Sequence, residues 1–426
     1  MASCRPFLGS LHSELLDLIL AYLPQNDLLS VALSSRHLHQ HAQAPIYRNT
    51  FILTIPALER LCKTFLRRPG LARFCRTARI VVNEAQLYAS SDEANEEKDT
   101  IRRSPEGRLT LILGCLDRIQ SLHLTVRTWN DTPDFSTFIT NPLNSNKFLG
   151  CFEHLRDVHF KLERLDDQCG GFTPDVRDPL LFLTLPALQR LSMNLATTVA
   201  DIQLPLPSAS PAELRMLKLS RGSCITLPAL RSILARTPKL ESFEYHFTCN
   251  FEVMQPETKC FYSSVLASSL EPTAQTLRHL HISCQFLEFT GSHMLWNDDW
   301  GYRGQLTSLK EFSRLQSLTI PLVVLLGWKP SESLPVNEKL PPGLVNLTIR
   351  TDGSHWDDFT WASSDAEHYI SGYLKDGCSK NLSILELYAS AARGHIWTPE
   401  LVGTLQAIRP DMVIKATGHL YGNEQE

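Results

Sequence analysis

The sequence has few of the features that mark a membrane, secreted or nucleic-acid-binding protein. Its longest apolar stretch runs from Pro321 to Trp328, far short of the roughly 20 residues that a membrane-spanning helix needs. The N-terminal residues from Met1 to Pro6 have no apolar core behind a basic start, so we expect no secretion. The formal net charge is only -4, from 41 Lys and Arg against 45 Asp and Glu, which argues against adhesion of the whole surface to nucleic acid or to a membrane.

Sequence motifs for disulfides, metal sites, cofactors and catalysis are also scarce. The 11 cysteines include no Cys-x-x-Cys pair, so they are expected to be reduced thiols of a cytoplasmic or nuclear protein. Metal ligands do not cluster along the chain, so the sequence predicts no metal site and no cofactor. The phosphate-binding loop, the dinucleotide-binding glycines, the serine nucleophile elbow and His-Glu-x-x-His are all missing. We therefore expect no enzyme; a hydrolase with a site built from distant residues is the alternative.

The composition is that of a folded soluble protein. Hydrophobic residues make up 43% and charged residues 20% of the chain, a balance that disordered chains lack. At 426 residues the chain exceeds one ordinary domain, so it predicts either two domains or one extended repeat array.

Three short helices are predicted within the first fifty residues. The first carries an apolar stripe at i, i+4 and i+8, formed by Leu15, Ile19 and Leu23, with Leu16 and Leu20 beside it. Three helices of this length cannot bury so many leucines among themselves, because domains this small have little interior. Part of the apolar surface should therefore meet another body, either a partner protein or the second domain of this chain.

Polar residues and prolines indicate where these helices begin and end. Pro24 follows the first helix at the point where it should stop, and Asp27 is a natural cap for the second. Ser35 can cap the third helix, and Pro45 is expected to end it.

The same segment resembles an F-box. The resemblance is carried by Leu11-His-Ser-Glu-Leu-Leu-Asp-Leu-Ile-Leu-Ala-Tyr-Leu-Pro and by Asp27-Leu-Leu-Ser-Val-Ala-Leu-Ser-Ser-Arg-His-Leu. The ending Ala44-Pro-Ile-Tyr-Arg is similar to F-box proteins of filamentous fungi. The family usually has Pro in place of His12 and often Trp in place of Leu38. The resemblance implies an F-box helical domain over residues 8–50.

In that family the motif docks on a Skp-type adaptor, which in turn binds a cullin scaffold. The resemblance implies that ten residues of this chain carry the adaptor contact: Leu11, Leu15, Leu16, Ile19, Leu20, Leu23, Leu28, Leu29, Val31 and Leu38.

From about residue 75 onward one apolar template recurs. It reads Leu-x-x-Leu-x-Leu, with other apolar residues allowed, and its ten matches start at Cys75, Ile119, Leu155, Leu188, Leu214, Leu240, Leu277, Leu315, Leu344 and Leu382. The mean spacing is about 34 residues, which indicates a repeat array. The alternation within each match predicts a short strand with one buried face. Helices are predicted before several of the strands, at 109–116, 228–235, 261–270 and 366–374.

The predicted fold class is therefore α/β, with a short three-helix F-box followed by an irregular leucine-rich-repeat-like solenoid over residues 51–426. The spacing is longer and less regular than that of ordinary leucine-rich repeats. An acidic segment at about 88–104 has few large apolar residues and is predicted to be a mobile loop.

Insertions after the strands carry aromatic residues beside acids, and two of them are predicted to bind the substrate. Their residues are Trp296, Asp298, Asp299, Trp300, Tyr302, His355, Trp356, Asp357 and Asp358. Aromatic residues are enriched at binding hot spots, and carboxylates favour a basic segment on the partner. The alternative is that each aromatic ring packs back on its own loop and only braces it.

The resemblance implies a substrate-recognition subunit of an SCF-type ubiquitin ligase. Its expected partners are a Skp-type adaptor, through it a cullin, and an unknown protein substrate, with no nucleic acid and no membrane. The alternative is a scaffold or regulatory protein that binds the adaptor but recruits nothing for degradation.

Overall fold

The computed structural model describes most of the chain outside its long insertions. The described residues are 8, 11–83, 112–128, 152–164, 179–194, 198–199, 213–250, 260–287, 301–352, 359–389 and 396–418. The chain forms two compact units, one of Met1–Leu165 with Leu185–Leu188 and one of Asp166–Thr184 with Gln189–Glu426. The domain boundary between residues 50 and 51 stays a prediction, and the acidic segment 88–104 lies outside the described residues.

The first unit begins with the three predicted helices. They are α1 (Ser13–Ala21), α2 (Gln25–Ser34) and α3 (Arg36–Arg48), followed by α4 (Ile55–Arg67) and the single turn α5 (Pro69–Ala72). The cap of α3 is confirmed, because the Leu38 amide donates a hydrogen bond to Ser35 Oγ at 3.2 Å. The predicted cap of α2 is wrong, because the helix begins at Gln25 and places Asp27 in its first turn, where a carboxylate favours the helix dipole.

The predicted end of α3 is also wrong. The helix continues through Pro45 to Arg48, although proline removes one backbone hydrogen bond from a helix. Ile46 packs against the core of the three helices, and the Tyr47 ring lies 5.9 Å from the Phe65 ring. These contacts of the last turn stabilise it beyond the proline.

Four parallel strands complete the first unit. They are β1 (Asn49–Ile52), β2 (Thr77–Asn83), β3 (Ser121–Thr128) and β4 (Asp157–Arg164), and they lie side by side in chain order. One row of residues in register forms their buried face: Ile52, Ile80, Leu124 and Phe160.

The second unit is α/β and is built on parallel strands. Its strands are β5 (Arg190–Asn194), β6 (Thr198–Val199), β7 (Met216–Ile225), β8 (Ser242–Asn250), β9 (Cys260–Tyr262), β10 (His279–Leu287), β11 (Gly301–Arg303), β12 (Ser317–Pro321), β13 (Asn346–Arg350), β14 (Ile384–Ala389) and β15 (Val413–Gly418). Its helices are α6 (Leu227–Leu234), α7 (Ser263–Leu270), α8 (Leu322–Leu326), α9 (Ser363–Lys375) and α10 (Pro399–Ile408). The sheet has the order β5-β7-β8-β10-β12-β13-β14-β15, with β6 beside β7, while β9 and β11 pair separately.

The ten predicted strands are confirmed. The templates fall on β2, β3, β4, β5, β7, β8, β10, β12, β13 and β14, and the apolar residues of each are buried. In the second unit the central residues of the templates lie in register from strand to strand: Leu191, Leu217, Phe243, Leu280, Leu318, Leu347 and Leu385. Three predicted helices are confirmed as α6, α7 and α9, and of the fourth, 109–116, residues 112–115 are helical.

No helix within the described ranges combines the length and the apolar character that crossing a membrane requires. Six cysteines of those ranges form no disulfide: Cys62, Cys75, Cys115, Cys260, Cys284 and Cys378. Cys378 is exposed, whereas Cys62, Cys75 and Cys284 are buried.

Candidate functional site

The three N-terminal helices build a small apolar core of their own. Its fully or largely buried members are Leu16, Leu20, Leu28, Ala32, Leu38 and Ala42, with Leu23, Val31 and Ile46 packed against them. A polar contact also joins the first helix to the third, because His41 Nδ1 lies 2.7 Å from Asp17 Oδ1. The helices can therefore hold a defined surface towards a partner.

The ten predicted adaptor residues divide into three groups by their exposure. Four of them are core residues of the helices: Leu16, Leu20, Leu28 and Leu38. Three are partly buried: Leu11, Leu23 and Val31. The remaining three expose 40 to 50% of their surface: Leu15, Ile19 and Leu29. The last group can contact a partner directly, whereas the first can act only by shaping the helices.

Three exposed apolar residues in or next to α1 and α2 are not among the ten predicted adaptor residues. Leu18 of α1 and Tyr22, the residue directly after this helix, are 57% and 83% exposed, and Leu33 of α2 is 88% exposed. With Leu15 and Ile19, Leu18 and Tyr22 follow the spacing i, i+3, i+4 and i+7, which places all four on one face. That spacing was visible in the sequence, but it could not show which of the two apolar faces of α1 is buried, because the packing of the other helices decides it.

The strands of the second unit expose a polar face opposite their buried one. One row in register crosses seven strands: Lys218, Glu244, His281, Thr319, Thr348, Glu386 and Lys415. Neighbours in the row pair with one another, as Lys218 Nζ does with Glu244 Oε1 at 2.9 Å. This face is a surface of fixed hydrogen-bonding groups on rigid strands.

Most of the predicted substrate-binding residues lie outside the described residues: Trp296, Asp298, Asp299, Trp300, His355, Trp356, Asp357 and Asp358. Tyr302 is described, and its predicted place in an exposed loop is wrong. It lies in β11 with 2% of its surface exposed, and its hydroxyl donates a hydrogen bond to the Cys284 carbonyl at 3.1 Å. Its ring also stacks on Trp328 at 5.9 Å between centroids, so Tyr302 braces the interior of the unit.

A group of potential metal ligands lies on the polar face of β8 and β10. Glu244 and His246 stand two residues apart on one strand, and His281 is the register partner of Glu244 on the next. His246 Nε2 lies 2.5 Å from Glu244 Oε1, and the two imidazole rings are 4.9 Å apart between centroids. No local pattern in the sequence marks this group, because its members come from two strands of different repeats.

The protonation of the three side chains follows from their surroundings. Burial, together with the charge of His246, lowers the pKa of His281 to about 4. Burial acts to raise the pKa of Glu244, but the hydrogen bonds from His246 and Lys218 outweigh it and lower that pKa to about 2. At neutral pH the group therefore offers a carboxylate and at least one neutral imidazole.

The N-terminal helices are the part of the chain that matches a known protein family. A search of curated proteins gave no match. A scan against protein-family models matches residues 8–48 to the F-box domain. F-box domains generally bind Skp-type adaptors. The match therefore supports an F-box protein, with a general role as an adaptor-binding subunit of SCF complexes.

Proposed function

We propose that this chain is a substrate-recognition subunit of an SCF-type ubiquitin ligase, working in the cytoplasm or nucleus. The observation that carries the proposal is the exposed apolar face of α1, formed by Leu15, Leu18, Ile19 and Tyr22 within the segment that matches the F-box. Burying one large apolar side chain stabilises an assembly by about 1.5–3 kcal/mol. Four such residues on one face would give a Skp-type adaptor an apolar anchor, and the adaptor would in turn bind a cullin.

The strand-bearing remainder is proposed to be a divergent leucine-rich-repeat-like solenoid. Its support is that the strands along the main sheet follow one another in chain order within each unit, and that the template residues lie in register. Solenoids bind partners on the extended surface that their strands present. The polar row that includes Glu244 and Glu386 would then be part of the substrate surface.

The aromatic and acidic insertions remain a second proposed part of that surface. Trp296, Trp300 and Trp356 would supply apolar anchors, and Asp298, Asp299, Asp357 and Asp358 would favour a basic segment of the substrate, with His355 beside them. Tyr302 is buried, which supports a structural role for this residue, in which its ring braces the fold and does not contact a substrate.

We infer that the chain contributes proximity and not chemistry of its own. Holding a substrate beside the ubiquitin-loaded enzyme raises its effective concentration there, which is a sufficient role for a recruiting subunit. The alternative is an adaptor-binding scaffold that recruits nothing for degradation.

Reconstitution distinguishes these two functions. The full chain, the adaptor, a cullin and the ubiquitin-transfer enzymes are combined, and ubiquitin transfer to the chain itself is measured with and without the adaptor. Adaptor-dependent self-ubiquitination is the expected result. A stable complex with adaptor and cullin that transfers no ubiquitin would favour the scaffold, and failure to bind the adaptor would overturn both.

A further inference from the structure

The group of Glu244, His246 and His281 has the geometry of a small metal site. The ligand atoms of all three lie within 4.8 Å of one another, close enough that small rotations of the side chains can bring them around one ion. Each residue stands on a regular strand of the same sheet, and each alternates with buried neighbours, such as Phe243 and Tyr245 on β8. The backbone positions are therefore fixed before any ion binds.

We propose that Glu244, His246 and His281 bind a divalent transition-metal ion, with zinc the best fit. Two imidazole nitrogens and one carboxylate oxygen are a common set of three protein ligands for zinc, and they leave a fourth position for water or for a partner's side chain.

Hydrogen bonds already orient one of the two histidines. Ser283 Oγ lies 2.5 Å from His246 Nδ1, so the other ring nitrogen, Nε2, is directed at Glu244. Metal-binding histidines are usually held in this way through the nitrogen that does not bind the ion. Ser283 is therefore expected to be a positioning residue of the site.

The other histidine carries an unused nitrogen. His281 Nε2 is buried and has no hydrogen-bond partner among the described residues. A buried nitrogen without a partner is costly, and a metal ion would relieve that cost by taking the lone pair. A cluster that served only to hold the two strands together would not need this atom to be left unpaired.

Lys218 is the competitor for the same position. Its ammonium lies 2.9 Å from Glu244 Oε1, the oxygen that His246 also contacts, so a bound cation and the lysine repel each other. This competition separates the two interpretations of the cluster. Removing the ammonium should strengthen a metal site, whereas it would only weaken a hydrogen-bonded network.

The test is a titration of the full chain, freed of metal by a chelator, with Zn²⁺ and in parallel with Co²⁺. We expect one tight equivalent of Zn²⁺, and with Co²⁺ the intense visible absorption of a four-coordinate ion. His246→Ala and His281→Ala should each weaken binding by more than about 100-fold, beyond the roughly 10–100-fold loss when only a hydrogen-bond partner of a ligand is removed. Lys218→Met should tighten it severalfold.

The matched control is His279→Ala. His279 lies on the same face of β10, two residues before His281, and is exposed. His279→Ala should bind Zn²⁺ with the same affinity as the unaltered chain. Zn²⁺ should raise the melting temperature of the unaltered chain and of His279→Ala, but not that of His281→Ala. Absence of a tight equivalent, or equal binding by His279→Ala and His281→Ala, would overturn the proposal. If the alanine variants fail to fold, Lys218→Met tests the site on its own, because the proposal requires it to bind Zn²⁺ more tightly. Unchanged or weaker Zn²⁺ binding by Lys218→Met would contradict the proposed site.

Discussion

Leu15 and Leu16 are neighbours in α1, yet the side chain of Leu16 is fully buried in the helical core while Leu15 is 50% exposed. Ile19 and Leu20, one turn further on, repeat the contrast, with exposures of 40% and 0%. Successive helix residues point about 100° apart, so one helix can present one apolar face to its own core and another to a partner. Substitutions on the two faces are therefore expected to have different effects: those on the exposed face should weaken adaptor binding, and those on the buried face should also destabilise the fold.

Leu15→Asp combined with Ile19→Asp should remove adaptor binding and leave the fold intact. Both side chains are exposed in the free chain, so the new carboxylates remain hydrated there and the fold is not disturbed. Adaptor binding would remove the water from these carboxylates, and this desolvation costs several kcal/mol. We expect affinity for the purified adaptor to fall by at least about 100-fold, with the thermal melt nearly unchanged.

Two control variants complete this experiment. Leu334→Asp alters a leucine of similar exposure, 47%, outside the F-box segment and should bind the adaptor normally. Leu16→Asp with Leu20→Asp places charges in the core, so it should lose helical structure as well as binding. Normal adaptor binding by the Leu15 and Ile19 variant would contradict the docking face.

The F-box helices could be predicted from the sequence, but the division of their leucines could not. Apolar spacing indicates which residues share a helix face. In α1, however, two apolar faces adjoin, and only the packing of α3 decides that Leu16 and Leu20 belong to the core. Pro45 shows the same limit, because tertiary contacts of Ile46 and Tyr47 outweigh a local signal that usually ends a helix.

A second prediction concerns the register of the buried row. Leu280 lies between Phe243 and Leu318 and is 2% exposed, so Leu280→Ala should leave a cavity and lower the free energy of unfolding by about 2–5 kcal/mol. Ile384→Ala, at a strand position that is 37% exposed, should cost much less. Urea unfolding of both variants, followed by far-UV circular dichroism, measures the difference; equal losses would contradict the packing of this row.

The strands of this row were predictable because each template combines alternation with leucine. β1 and β15 were missed because they lack the template: in β1 the polar Thr50 stands at the central position, and in β15 Asp411 stands at the first position and the small Ala416 at the last. Tyr302 was predicted to lie in a binding loop, but it lies in a buried strand. An aromatic residue beside acidic residues gives the same local sequence pattern in both settings. The cluster of His246 and His281 depends on pairing between repeats, which no local pattern specifies.

A third prediction concerns Asp352, which follows β13 and is almost completely buried. Its Oδ2 accepts a hydrogen bond from the Cys284 amide at 3.0 Å, and its Oδ1 accepts one from Arg350 Nε at 3.0 Å. Asp352→Ala removes both acceptors and should destabilise the chain by about 3–5 kcal/mol. Asp352→Asn retains one acceptor oxygen and should cost less.

The surface pair of Arg215 and Glu241 is the control for that experiment. Their charged atoms are also 3.0 Å apart, but 61% and 38% of the two side chains are exposed. Glu241→Ala should therefore cost at most about 1 kcal/mol. If Asp352→Ala cost no more than Glu241→Ala in urea unfolding, the buried network would not stabilise the second unit.

The last prediction concerns Lys339, which is fully buried although it is a lysine. Its ammonium donates hydrogen bonds to the Leu325 carbonyl at 2.7 Å and to Gln305 Oε1 at 2.5 Å. Burial disfavours the charged form and lowers the pKa from the ordinary 10.5 to about 8, against the opposing charge of Glu338. The native chain therefore releases this proton at a lower pH than the unfolded chain does.

Stability should consequently rise with pH in the window between about 8 and 10.5, where the unfolded chain still holds the Lys339 proton and the native chain has lost it. The Lys339 contribution to the free energy of unfolding should grow by up to about 1.4 kcal/mol per pH unit there and stay constant below that window. The measurement is urea unfolding of the unaltered chain and of Lys339→Met from pH 7 to 10, because the difference between the two removes the titration of all other groups. Lys310→Met, at an exposed lysine, should follow the unaltered chain throughout. A difference between the unaltered chain and Lys339→Met that does not change with pH would show that Lys339 keeps its proton in the native chain as long as in the unfolded one.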